Sequence, residues 1–153
     1  MDTVNKEWNI KVDFITFYKF SVTVIMRPDI NSEKTTEDYL EAMLMIKKKN
    51  GEVRSVDVAR QLGITKPSVT YTTKRLKEKG YITMDKDNYI TITEKGMEIA
   101  EKIYARHNTL TELFVHLGVP QDVAEEDACK IEHDISPQTF DALCKHLETY
   151  TKK

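Results

Sequence analysis

Residues 55–93 read SVDVARQLGITKPSVTYTTKRLKEKGYITMDKDNYITIT. Ser55 is a capping residue, and Val58, Ala59 and Leu62 give the short segment after it one apolar helical face. Gly63 breaks this helix. Thr65 caps another, with Pro67 in its first turn, where a missing N–H leaves no helical bond unmade. That helix runs to Lys79 with Val69, Thr72 or Thr73, and Leu76 inward, and Gly80 closes it. Two helices joined by a short turn containing glycine make a helix-turn-helix. Two β-rich runs follow, Tyr81 to Asp85 and Tyr89 to Thr93, around Lys86-Asp87-Asn88. They read as a hairpin with a three-residue turn. A helix-turn-helix followed at once by a hairpin is a winged helix.

Upstream, Thr36 to Lys49 reads as a helix. Thr36 is its expected N-cap, Glu37 and Asp38 suit the dipole of its first turn, and Leu40, Met43, Leu44 and Ile46 form its apolar stripe. Asn50-Gly51 ends it. Downstream, Thr93 caps a long helix in which Ile99, Ile103, Tyr104, Leu110, Leu113, Phe114 and Leu117 recur at helical spacing, and Gly118 stops it. Pro120 opens a helix to about His133, and Ser136-Pro137 opens a last one through Tyr150. These three helices exceed what a winged helix needs, so a second, all-helical unit is expected. Residues 1–34 differ from the rest: Ile10, Val12 and Phe14 alternate, Phe17 to Met26 is aromatic and β-branched, which favours a strand over a helix, and a polar loop follows. They read as an N-terminal extension of unknown role, without a motif that carries chemistry. The expected fold is mainly α with a small β-hairpin wing: a winged helix-turn-helix over 35–96, then an all-helical dimerisation unit over 97–153.

The chain has 153 residues, 40% hydrophobic and 31% charged, which fits a soluble globular protein and excludes a disordered one. A net charge of −2 excludes a uniformly basic coat, but the charge is uneven. From Lys47 to Gly80, ten basic residues face three acids, a net +7; from Val119 to Glu148, eight acids face two lysines, a net −6. Such asymmetry reads as a front that meets a polyanion, with two solvated helix faces as the plainer alternative. The most apolar stretch, Phe14 to Met26, is 13 residues, short of the roughly 20 a membrane helix needs. No small-residue cleavage site follows it, so it reads poorly as a signal peptide. No membrane partner is expected. Cys129 and Cys144 cannot build a disulfide framework and fit a reduced, cytoplasmic chain.

Two groups of residues carry chemistry. The helix after Gly63 opens with Thr65, Lys66, Pro67, Ser68, Thr70 and Tyr71 on its exposed N-terminal half, followed by Lys74 and Arg75, with Lys86 at the wing tip. Hydroxyls bond phosphates or bases, lysines neutralise phosphate, and a recognition helix puts its first turns against base edges in the major groove. The second group is Asp38 and Glu41, three apart on one helical face, His107, and Cys129, Glu132 and His133 at i, i+3, i+4 spacing. Oxygen, imidazole and thiolate donors in this mix suit a divalent transition ion. Taken singly, each has a bland reading: a solvated first turn, a surface histidine, a packed cysteine.

From Thr36 to about Tyr150 the chain resembles the diphtheria toxin repressor and manganese transport regulator family of metal-dependent repressors. The resemblance is carried by Glu37-Asp38-Tyr39-Leu40-Glu41, Lys66-Pro67-Ser68-Val69-Thr70, Leu76-Lys77-Glu78-Lys79-Gly80-Tyr81-Ile82, Ile92-Thr93-Glu94-Lys95-Gly96, Arg106-His107 and Glu126 to His133. It implies a homodimeric winged-helix repressor that binds a palindromic double-stranded DNA operator and takes Mn2+ or Fe2+ as corepressor, with Co2+ and Zn2+ as further ions in vitro. Manganese-type members carry Asp and Glu on the first helix, as Asp38 and Glu41 here, a His matching His107, and a bridging Glu followed by Glu and His. Here Cys129 stands at the bridging position. Iron-type members carry that Cys but a Met in place of Asp38, so this ligand set is a hybrid and leaves one or two ions per chain open. The iron-type ancillary site needs a Glu and a His where this chain has Thr111 and Glu125, and is expected to be incomplete. With the chain ending at Lys153, the resemblance is to the short form without an SH3-like domain.

The functional expectation is therefore a metal-dependent transcriptional regulator of metal-ion homeostasis, not an enzyme. A winged-helix regulator that senses a small molecule or redox state without metal is the alternative. Against a metalloenzyme, no nucleophile–base pair or glycine-rich phosphate loop appears. A purely structural adaptor would bind no DNA.

Overall fold

A computed structural model describes residues 32–151. The strand expected near the N-terminus and the rest of residues 1–31 lie outside them. Six helices and one hairpin follow in chain order: α1 (Glu33–Asn50), α2 (Ser55–Leu62), α3 (Lys66–Glu78), β1 (Ile82–Met84), β2 (Ile90–Ile92), α4 (Glu94–His116), α5 (Gln121–Ile131) and α6 (Pro137–Thr151).

The first helix starts earlier than the sequence reading has it. Ser32, not Thr36, is its N-cap, its hydroxyl accepting from the Thr35 N–H at 3.1 Å. Both residues are good caps; with Ser32 as the cap, the Thr36 N–H donates to the Ser32 carbonyl at 3.3 Å, a helical bond that a start at Thr36 would forgo. The stripe is as expected, with Leu40, Met43, Leu44 and Ile46 buried. Ser55 also moves by one place: Arg54 is the N-cap residue of α2 and Ser55 is its first helical residue. Thr65 and Thr93 cap α3 and α4 as expected. Thr93 accepts from the Gly96 N–H at 3.2 Å, whereas the Thr65 hydroxyl meets Ser68 Oγ at 2.9 Å. Ser136 caps α6 by accepting from the Thr139 N–H at 3.2 Å.

Val58, Val69, Leu76, Ile82, Ile90, Ile92 and Ala100 pack on the α1 stripe as one core, so helix-turn-helix, wing and the start of α4 form one body. The antiparallel hairpin pairs Ile82 with Ile92 and Met84 with Ile90, which turns one face of each strand inward. Gly63, at φ +65°, makes the turn between α2 and α3 in a conformation that a side chain disfavours. Gly96 has a different reason: a Cβ there would strike the Tyr81 carbonyl oxygen. The wing can thus lie against the first turn of α4.

α4 runs beside α1 and then α5, so it belongs to both halves of the chain. Ile103, Leu110 and Leu113 are buried, with Ala124 and Ala128 of α5 equally buried. Leu117 departs from the expected stripe. It is the C-cap of α4, past the last full turn, and is 66% exposed. Among the described residues no helix is long and apolar enough to cross a membrane.

Candidate metal centre and nucleic-acid interface

α1, α4 and the end of α5 converge on one buried carboxylate, Glu132, which is wholly inaccessible to solvent. Two arginine bonds hold its backbone in place. Arg106 donates from Nη1 to the Glu132 carbonyl and from Nη2 to the Ile135 carbonyl, both at 2.8 Å. These carbonyls lie just beyond the end of α5, where a cation is favoured. The Arg106 guanidinium also lies 5.0 Å from the Phe140 ring of α6.

The Glu132 side chain has a histidine on each side. Oε2 lies 2.8 Å from His107 Nδ1 on α4, and Oε1 lies 3.3 Å from His133 Nε2. Glu41 of α1, also buried, completes a group with His107 and Glu132 whose donor atoms lie within 4.8 Å of one another. On the other side, His133 Nε2 stands 2.8 Å from Asp38 Oδ1, and Nδ1 stands 2.7 Å from Glu37 Oε2. Five of the six expected ligands, Asp38, Glu41, His107, Glu132 and His133, are therefore brought together. The tight group itself is Glu41, His107 and Glu132, which Asp38 and His133 join through the Glu132–His133 contact; the sixth expected ligand, Cys129, is exposed. Its thiol is still pushed above its ordinary pKa, first by loss of solvent at the sulfur and then by the charges of Glu132, Glu41 and Asp38.

The electrostatics describe a site with too much negative charge. Glu41 is raised to about 7, by burial and then by Glu132 beside it. Burial works against ionisation of Glu132, but the two imidazoles outweigh it and hold that carboxyl below its ordinary value. His107 is raised by its bond to Glu132. For His133 burial opposes the charge, yet Asp38, Glu132 and Glu37 together lift it to about 10. Protons stand in for a cation here. Glu41 Oε1, Glu132 Oε1 and His133 Nε2 are all buried without a hydrogen-bond partner; the short contacts of Nε2 lack hydrogen-bond geometry. Buried polar atoms left unbonded are costly, and carboxylate oxygens and an imidazole nitrogen are donors that suit a divalent cation. The residues fit such an ion.

The second surface is the outer side of α3 and the wing. Thr65, Lys66, Pro67, Ser68, Thr70 and Lys74 are exposed, Tyr71 is 51% exposed, and Lys86 is exposed at the wing tip. Arg75 is half-buried and donates to the Tyr71 hydroxyl at 3.3 Å, so the two form a pair one turn apart. Thr72 and Thr73 both turn inward, which resolves the choice left open by the spacing.

Sequence reasoning passed over three residues. Glu37 is read there only as a first-turn acid, yet it bonds an imidazole 96 positions away. Arg106 gave one signal, its place beside His107. Arg54 stacks on the Tyr89 ring at 4.1 Å and donates to its hydroxyl, joining α2 to the wing root. No spacing announces that pair.

Two family profiles match the chain. Residues 33–89 match "Iron dependent repressor, N-terminal DNA binding domain", and residues 93–153 match "Iron dependent repressor, metal binding and dimerisation domain". An uncharacterized HTH-type transcriptional regulator of Methanocaldococcus jannaschii is 36% identical over 122 residues, covering 78% of this chain and 98% of that protein. The transcriptional regulator MntR of Escherichia coli O157:H7 is 34% identical over 107 residues, 70% of this chain and 69% of that one. Among solved structures, IdeR of T. acidophilum superposes with a TM-score of 0.68 at 21% identity, and the manganese regulator SloR with 0.64 at 25%. The matches cover 73% and 74% of this chain, and the chain spans about half the length of each of those structures (53%). With both halves matched in order and the buried cluster lying between them, the chain belongs to the iron-dependent repressor family of metal-dependent, DNA-binding transcriptional regulators, a family of regulators rather than of enzymes.

Proposed function

We propose that this chain is a repressor of metal-ion homeostasis genes that binds a palindromic double-stranded DNA operator as a homodimer in the cytoplasm when loaded with Mn2+ or Fe2+. The observation that carries it is Glu132: a fully buried carboxylate with one oxygen unbonded, between two histidines and beside a second buried acid. Asp38, Glu41, His107, Cys129, Glu132 and His133 are the ligands in this reading. A divalent ion supplies the positive charge that the carboxylates lack. Asp38 and Glu41 ride on α1, within the 35–96 DNA-binding unit; Glu132 and His133 close α5 in the 97–153 unit; His107 sits on α4, which runs through both. These donors can approach only as their repulsion is relieved, and their approach fixes α1 against α4 and α5. Because α1 and α3 share one core, the recognition helix is fixed with them.

A dimer must hold its two recognition helices about 34 Å apart to meet successive major grooves, so a fixed angle between the units decides affinity. Thr65, Lys66, Pro67, Ser68, Thr70, Tyr71, Lys74, Arg75 and Lys86 are the DNA contacts in this reading, their exposure and local positive charge being the support. Val115, Leu117 and Val123, exposed apolar residues about the α4–α5 turn, suit a second copy of the chain. Carboxylates favour Mn2+, and the Cys129 thiol shifts preference toward Fe2+, Co2+ and Zn2+; Zn2+ binds tighter than Mn2+ in vitro by the usual affinity order.

The test is an anaerobic calorimetric titration of reduced, metal-free protein with Mn2+, repeated with Fe2+. Uptake of one or two ions per chain is expected. Two would mean that a binuclear site survives despite Cys129, and one that Cys129 makes the site mononuclear. Uptake of neither ion overturns the reading.

A further inference from the structure

We propose that Glu37 is a positioning residue for the metal centre, acting through His133; this rests on the reading of the site given above. The His133 side chain is 2% exposed and has two ring nitrogens with different partners. Glu37 Oε2 lies 2.7 Å from Nδ1 in hydrogen-bond geometry. Nε2 lies on the opposite edge, between Asp38 Oδ1 and Glu132 Oε1, with no hydrogen bond of its own. A neutral imidazole has one N–H and one lone pair, and the hydrogen bond at one nitrogen decides which is which. A carboxylate at Nδ1 accepts the N–H there and leaves the Nε2 lone pair facing the two ligand carboxylates. It also fixes the ring's rotation, as hydrogen-bond acceptors behind metal-bound histidines do.

The arrangement adds a second link between the halves of the chain. Glu37 is on the first turns of α1 and His133 follows α5, and Lys34 reaches Asp134 alongside at 3.5 Å. The adjacent Asp38 approaches the other edge of the same ring, so α1 grips this imidazole at both nitrogens. Glu37 itself bonds Nδ1 on the far side of the ring from Glu132, which places it behind the ligand rather than among the donors.

The experiment is a calorimetric Mn2+ titration of the full chain and of Glu37→Ala and Glu37→Gln, with a melting curve of each metal-free protein as a folding control. Removing a carboxylate behind a histidine ligand weakens metal binding about 10–100-fold, and that loss is expected for Glu37→Ala. Glu37→Gln keeps an oxygen that accepts from Nδ1, so its affinity is expected within a few-fold of the parent. Parent-like affinity in Glu37→Ala overturns the inference and leaves the site reading intact. Equal loss in both variants also overturns it, because a direct ligand or a bare charge behaves that way. Failure of the parent chain to take up Mn2+ overturns the site reading and this inference together. A second measurement needs no variant: a long-range 1H–15N spectrum of the Zn2+-loaded chain is expected to place the His133 proton on Nδ1. A proton on Nε2 overturns the inference.

Discussion

Glu132 is where burial and charge conflict most sharply. An ionised carboxylate with no access to water is tolerated only when paired, and its pairing here comes from His107 and His133. Glu132→Gln keeps the shape and removes the charge. Calorimetry is expected to show at least a 100-fold loss of Mn2+ affinity, well beyond that of a residue behind a ligand; retention of affinity would exclude Glu132 as a ligand. The same residues set a pH dependence in the metal-free chain. His133 is raised from 6.5 to about 10, so its contribution is complete below pH 6.5 and is lost as pH rises toward 10. Glu132 is lowered, so its contribution is present above its ordinary value of 4.5 and is lost in acid. Glu41, raised from 4.5 to about 7, loses its contribution across that interval. Melting temperature of the metal-free chain should therefore fall between pH 7 and 10, and His133→Ala should flatten that fall. An alkaline limb unchanged in His133→Ala would assign it elsewhere.

At the scale of the element, the hinge between wing and helix rests on Gly96 and Thr93. An alanine in a helix interior normally stabilises by about 1 kcal/mol over glycine. Gly96→Ala is expected to do the reverse, because its Cβ meets the Tyr81 backbone, which cannot swing aside as a side chain could. A loss of about 1–3 kcal/mol in chemical denaturation is expected, the range for overpacking. Thr93→Ala removes the cap of α4 and should lose about 1 kcal/mol. The elements were largely legible in the sequence because their punctuation is local: Gly63, Pro67 and Gly80 bracket the helix-turn-helix, and alternation in Ile82 and Ile90-Thr91-Ile92 marks the hairpin. The start of α1 was not, since Ser32 and Thr36 are both competent caps one turn apart and local sequence does not rank them. The candidate metal centre was legible as residue types at helical spacing, and five of the six expected ligands lie together. Glu37 and Arg106 were not, because their partners lie across the fold, 96 and 26 positions away.

At the scale of the whole molecule, the chain sorts its charge. The basic stretch carries the helix-turn-helix, and the acidic one carries α5, α6 and two residues of the buried cluster, Glu132 and His133. Each phosphate neutralised by a lysine steepens the salt dependence of DNA binding. Lys74→Ala and Lys86→Ala are each expected to weaken binding across sequences and lower the salt slope by about 1 per chain, whereas Tyr71→Ala should change sequence preference more than slope. A Lys86 variant with the parent slope would remove the wing tip from the interface. The halves are joined by α4, which packs on α1 and then on α5. An effector that fixes such a joint typically changes affinity at the second site 5–150-fold.

The most direct measurement is the anisotropy of a labelled duplex, selected from a random pool by the Mn2+-loaded chain, titrated with the protein at fixed salt in Mn2+ and again after complete chelation. A loss of affinity within that 5–150-fold range on chelation, restored by added Mn2+, is predicted; the same affinity in both states would contradict the account.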